Sequence, residues 1–175
     1  MHASARSGLL LAVGLLCCAH AAGAQQFVST GRGTLRGLTG VEVVIEPLPV
    51  EVTHAGLSAE ALRSSLERQL NAAHVTVYAS QKANPSPAQA YLYVHVNAVP
   101  VDGGARHAIA VQLQLRQTLQ SLVTGSRIVD AMTWDAHNVL VTEAATVSDL
   151  TAELRGYVDL FIDDWAAVHS PGQAP

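Results

Sequence analysis

The chain has 175 residues, 49% of them hydrophobic and 5% aromatic, and its ten Lys+Arg against fourteen Asp+Glu leave a net charge of −4 with histidines neutral. Lys82 is the only lysine and no basic run exists, so the phosphate-neutralising surface on which nucleic-acid binding and adsorption to anionic lipid depend is missing. This length supports one hydrophobic core and not two.

Residues 1–24 read as a cleavable secretory signal. Arg6 is followed by an apolar run through Leu9, Val13 and Leu16, which ends in the small residues Ala22-Gly23-Ala24. Charge, apolar run and small-residue exit in that order are the export signature, and the run is shorter than the roughly 20 residues that span a bilayer. Lipidation at Cys17 or Cys18 would want a small residue before the cysteine, and Leu16 and Cys17 stand there instead. Cleavage after Ala24 removes both cysteines and Arg6, which leaves nine cations, fourteen acids and a charge of −5. A periplasmic or secreted domain without a thiol must be held by its apolar core alone. Nothing after residue 24 is long enough to span a membrane.

Residues 25–39, rich in Gly, Ser and Thr, read as a flexible lead-in to a single domain over 40–169. Val41-Glu42-Val43-Val44-Ile45-Glu46 reads as a strand closed by Pro47 and Pro49. Ser58 caps a helix to about Ala73, since Leu62, Leu66 and Leu70 recur at helical period. Residues 75–78 read as a short strand and 82–89 as a loop. Two long alternating strands follow, 91–99 and 107–123, joined through Asp102-Gly103-Gly104. A turn at Thr124-Gly125 leads to a strand over 127–141. A closing helix over 149–168, opened by Thr146 or Ser148, carries an apolar stripe from Leu150 to Trp165. Residues 170–175 read as a disordered tail. The order β-α-β-β-β-β-α predicts an α+β fold. It is a two-layer sandwich whose mixed, mostly antiparallel sheet carries both helices on one face.

Two-residue turns at 103–104 and 124–125 set the registers. The first pairs Leu92 with Leu115 and Val94 with Leu113 on one face, and Tyr91 with Arg116, Tyr93 with Gln114 and His95 with Gln112 on the other. The second sets Trp134 beside Leu115, and Thr133, Asp135 and His137 beside Arg116, Gln114 and Gln112. A slip of one residue would mix the two faces. The face away from the helices thus carries Tyr91, Tyr93, His95, Gln112, Gln114, Arg116, Thr133 and Asp135. These amides and tyrosines make it a candidate partner surface, because Tyr and Arg are enriched at interfaces. A solvated outer face is the plainer reading of the same pattern.

No nucleophile elbow, P-loop or dinucleotide glycine pattern occurs, so the sequence predicts no enzyme and no cofactor. No pair of histidines has ligand spacing. His95 and His137 share a row but stand two strands apart, roughly 10 Å at about 4.8 Å per strand, too far for one zinc ion. No metal site is expected.

The Leu35-Arg-Gly-Leu-Thr-Gly-Val-Glu-Val-Val-Ile segment, Ala55-Gly-Leu-Ser, Tyr91-Leu-Tyr-Val-His-Val-Asn and Thr133-Trp134 resemble a group of exported bacterial proteins to which no activity is attached. The resemblance runs from about Leu35 to Trp165. In element order alone the chain is also similar to small auxiliary lipoproteins of envelope transport assemblies. The resemblance to that group implies no activity; the expectation of an envelope protein as partner rests on the absent catalytic motifs and the amide–tyrosine sheet face. The expected function is a non-enzymatic binding or assembly module of the periplasm, with a small-ligand carrier, its pocket between helices and sheet, as the alternative.

Overall fold

A computed structural model describes residues 31–142 and 147–170. The expected secretory signal over residues 1–24, residues 25–30 of the expected lead-in, Thr146 and residues 171–175 of the expected tail lie outside them. Four strands form one sheet in the order β1 (Glu42–Ile45), β2 (Tyr91–Val101), β3 (Arg106–Gln120), β4 (Arg127–Thr142). The β1–β2 pair is parallel and the others antiparallel. The crossover from β1 to β2 contains the short helix α1 (Val50–His54) and the longer α2 (Ala59–Ala72), and α3 (Val147–His169) closes the chain. This is the expected α+β architecture. No helix among the described residues is long and apolar enough to cross a membrane.

Alternation builds the sheet. Val43 and Ile45, Leu92, Val94 and Val96, Ile109, Val111, Leu113 and Leu115, and Trp134 and Ala136 are buried, while their neighbours along each strand are not. The buried set meets Leu62, Leu66 and Leu70 of α2 and Leu154, Tyr157, Val158, Phe161 and Trp165 of α3 in one cluster. Ser58 caps α2 as expected, its hydroxyl accepting from the Ala61 N–H at 3.1 Å. At the other end, Val75 donates to the Leu70 carbonyl and His74 to that of Asn71. His74 stands at φ 61° where such an ending usually places glycine.

Residues 75–78 do not form a strand. One parallel bridge, Val41 to Val77, ties them beside β1, because the chain leaves the Schellman turn only to enter the 81–83 turn. Nor is the whole lead-in loose. Arg32–Leu35 form a 3₁₀ turn, and Leu35 and Leu38 are 0% and 6% exposed. The segment straps across the edge of the core. Gly31 passes so close to β4 that a Cβ there would lie 1.7 Å from the Thr133 carbonyl oxygen.

The β2–β3 register is the expected one, Leu92 opposite Leu115 and Tyr93 opposite Gln114. Four residues rather than two make the loop. They are centred on the same Gly103–Gly104 bond, so the register is unchanged. In β3–β4 the pairs Leu115–Trp134, Gln114–Asp135 and Gln112–His137 also match, but the register shifts after Leu115 and again before Leu119.

Candidate functional site

The sheet face away from the helices is uncovered among the described residues, and its side chains hold one another. Tyr91 donates to Asp130. Arg116 donates to Asp130 Oδ2 at 3.0 Å and through Nε to Gln114 Oε1 at 2.9 Å, and Gln114 donates to Gln112 at 3.0 Å. The Arg116 guanidinium lies 4.7 Å from the centre of the Tyr93 ring, a cation–π contact. The Tyr91 and Tyr93 rings meet edge to face at 6.4 Å. His95 pairs with Glu46 at the end of β1, and His137 with Asp135 at 2.9 Å.

The electrostatics follow from that geometry. Burial pushes the Tyr91 phenol up, and the Asp130 carboxylate adds to the effect. Asp130 sits below the ordinary carboxylate value because Tyr91 donates to it and Arg116 is close. Glu46 is lowered, first by its hydrogen bond with His95. Burial raises Tyr93, and Glu46 beside it raises it further. These shifts follow the hydrogen bonds and charges that the side chains of this face share with one another.

Of the eight residues expected on this face, Tyr91, Tyr93, His95, Gln112, Gln114 and Arg116 join or abut this network, and Asp135 lies beside it. Thr133 does not. The shift after Leu115 sets Met132 opposite Arg116. The Thr133 hydroxyl accepts instead from Gln117 Nε2 at 2.7 Å, and Gln117 is buried at 4% exposure. Thr133 has been turned toward the strap, where Thr34 donates to its carbonyl and Gln117 also donates to the Thr34 carbonyl. A β-bulge does this by letting two residues face one.

Sequence reasoning missed Glu46 and Asp130. Glu46 follows a strand that ends at Ile45, though it was visible as the last residue of the β-branched run. Asp130 reaches Tyr91 and Arg116 from φ 59°, a left-handed residue that Asp tolerates better than most. Its position carries no periodic signal.

His95 and His137 each pair with a different carboxylate, Glu46 and Asp135. Among the described residues no group of three or more His, Cys, Asp and Glu is placed to hold a metal ion. Between helices and sheet, where a carrier would need its pocket, lie Trp134, Phe161, Tyr157 and Leu113, all fully buried.

No family model matches the chain and no curated protein matches it. Solved structures similar to it include two of PelC dodecamers from Paraburkholderia phytofirmans. One, a point variant, is 16% identical over 74% of this chain and 91% of that chain, with a TM-score of 0.39. The other is 16% identical over 85% of this chain and 97% of that chain, with a TM-score of 0.38. Scores this low mark a partial overlap in outline and carry no inference about function.

Proposed function

We propose that this chain is a non-enzymatic binding or assembly module of the bacterial envelope, exported by its N-terminal signal, with the open sheet face as its partner surface. One observation carries the reading. The row from Glu46 through Tyr93, Arg116 and Asp130 to Tyr91 is a mutually bonded network on a face that no described element covers, half-buried at Tyr91, Tyr93 and Arg116 and exposed at Asp130. Binding costs are lowest where side chains are already fixed, and a Tyr–Arg centre is the composition of an interface hot spot.

Affinity capture from the native envelope, followed by mass spectrometry, tests the proposal. Tyr93→Ala combined with Gln114→Ala removes the ring under Arg116 and one of its acceptors. Capture of the partner by this variant should be lost while the melt stays cooperative. Undiminished capture would sink the interface and leave a merely solvated face.

A further inference from the structure

The helix layer carries a second surface, on the side of the molecule away from the open sheet face. Where α2 and α3 lie side by side, a groove of about 370 Å³ is lined by Ser65, Arg68, Gln69 and Arg155. A neighbouring hollow of about 270 Å³, which runs toward Gly56 and Ser58 at the start of α2, again takes Ser65, Arg68 and Arg155 into its wall. Helical spacing builds the groove. Ser65, Arg68 and Gln69 stand at i, i+3 and i+4 on one face of α2. Arg155 reaches across from α3, its Nη2 donating to Ser65 Oγ at 3.2 Å. Gln69 fastens the two helices beside them, since its Nε2 donates to the Arg155 carbonyl at 3.0 Å and to Asp159 Oδ1 at 2.6 Å.

The groove is cationic and not neutralised from within. Among the described residues no acid lines it, and neither Arg68 nor Arg155 enters an ion pair. Asp159, one turn beyond Arg155, is taken up by Gln69. Two guanidiniums in one groove repel each other, and an anion between them removes that cost. Each offers a planar fork of donors that matches a phosphate or a carboxylate. Beside them Gln69 Oε1 is buried with no donor among the described residues. A bare oxyanion leaves that acceptor unmet, whereas a hydroxyl carried next to the charge can donate to it. The volume falls at the small end of the roughly 300–1,000 Å³ of small-molecule sites.

We propose that the α2–α3 groove binds a small hydroxylated oxyanion, a phosphate or carboxylate on a polyol skeleton. Arg68 and Arg155 clasp the charged group, and Ser65 and Gln69 face the hydroxyls. The site is separate from the open sheet face and stands whether or not that face binds a partner.

The test is a calorimetric titration and a melt of the exported chain with glucose 6-phosphate, glucuronate, inorganic phosphate and glucose. Glucose 6-phosphate or glucuronate should bind saturably and raise the melting temperature, and the tighter of the two names the source of the charge. Inorganic phosphate should bind more weakly, and glucose should not bind. Arg68→Gln with Arg155→Gln should weaken binding about tenfold or more and remove the ligand-induced rise. Its melt without ligand should be unchanged or higher, because both side chains are exposed and their repulsion is gone. Arg63→Gln, which removes an exposed arginine of α2 outside the groove, should alter neither readout. No saturable binding of either sugar anion would overturn the proposal, and so would full binding by the double variant. Equal weakening by Arg63→Gln would overturn it too, since overall charge rather than the groove would then attract the anion. Inorganic phosphate binding as tightly as glucose 6-phosphate would remove the hydroxyls from the assignment.

Discussion

At the scale of single residues, the acid with least access to water among the described residues is Asp164, 0% exposed in α3. It accepts from Trp134 Nε1 at 2.9 Å and from Arg32 of the strap. Removing the carboxylate leaves the buried Trp134 indole N–H unpaired, which costs about 1–3 kcal/mol, while the Arg32 side chain, 62% exposed, turns to water. Asp164→Ala should lose about that much in chemical denaturation. Asp164→Asn, which keeps an acceptor for the indole, should lose clearly less; equal losses would show that charge, not the hydrogen bond, matters there. Tyr157 makes a second case. Its hydroxyl donates to Glu153 at 2.7 Å, and burial drives its phenol far above the ordinary value of 10.0. In the unfolded chain the same phenol ionises near 10.0. The raised folded value therefore contributes stability that is intact below about pH 10 and is lost as pH rises beyond it, by at most about 1.4 kcal/mol per unit. Tyr157→Phe should flatten the alkaline limb of a stability–pH profile. Glu46 and Asp130 act at the other end. Their lowered values give stability present above about pH 4.5 that fades as pH falls through the folded values, and both side chains are exposed enough for the effect to be small.

Among the elements, what was legible is what alternation writes. The β2–β3 register follows from the apolar rows and a turn centred on Gly103–Gly104. In β3–β4 the expected two-residue turn at Thr124–Gly125 is instead a six-residue loop centred on Val123–Thr124, and the inner pairs match because the two register shifts make up that one-residue difference. The unexpected length of the first loop did not matter, because its centre was right. The shifts in β3–β4 were not legible: a bulge replaces one pairing without altering composition, so Thr133 was placed on the wrong face and Asp130 was overlooked. The strap was concealed by its Gly and Thr content, although Leu35 and Leu38 stood at a spacing of three. Deleting a buried leucine side chain costs about 2–5 kcal/mol, so Leu35→Ala should lose stability in that range. Gly31→Val would drive a side chain into the Thr133 carbonyl. It should expose the Arg32–Leu35 turn to proteolysis with α2 still protected, as hydrogen exchange can show. Equal protection of strap and helix in that variant would mean that the close approach at Gly31 does not hold the segment down.

In the whole molecule one core serves both helices, and its far end is closed by aromatic rings. Trp134 of β4 meets Phe161 edge to face at 5.3 Å, and Trp165 lies tilted against Phe161 at 5.9 Å. His169 stacks on Trp165 with 4.1 Å between ring centres, and its Nε2 lies 3.0 Å from the Leu38 carbonyl oxygen. The chain's last helical turn is thus tied to the strap through the same indole. Trp165 is 9% exposed, so its truncation opens a cavity and also frees the contact between the two ends of the domain. Trp165→Ala should cost roughly 3–5 kcal/mol, the usual loss for a buried tryptophan. Because helix, sheet and strap share this cluster, the loss should appear as a lower midpoint of one cooperative transition with an unchanged denaturant slope. The open sheet face lies outside the cluster, so capture of a partner per folded molecule should be unaltered. A cost below about 1 kcal/mol would mean that α3 does not dock through its C-terminal half. A second, earlier transition would mean that strap and helix unfold apart from the sheet.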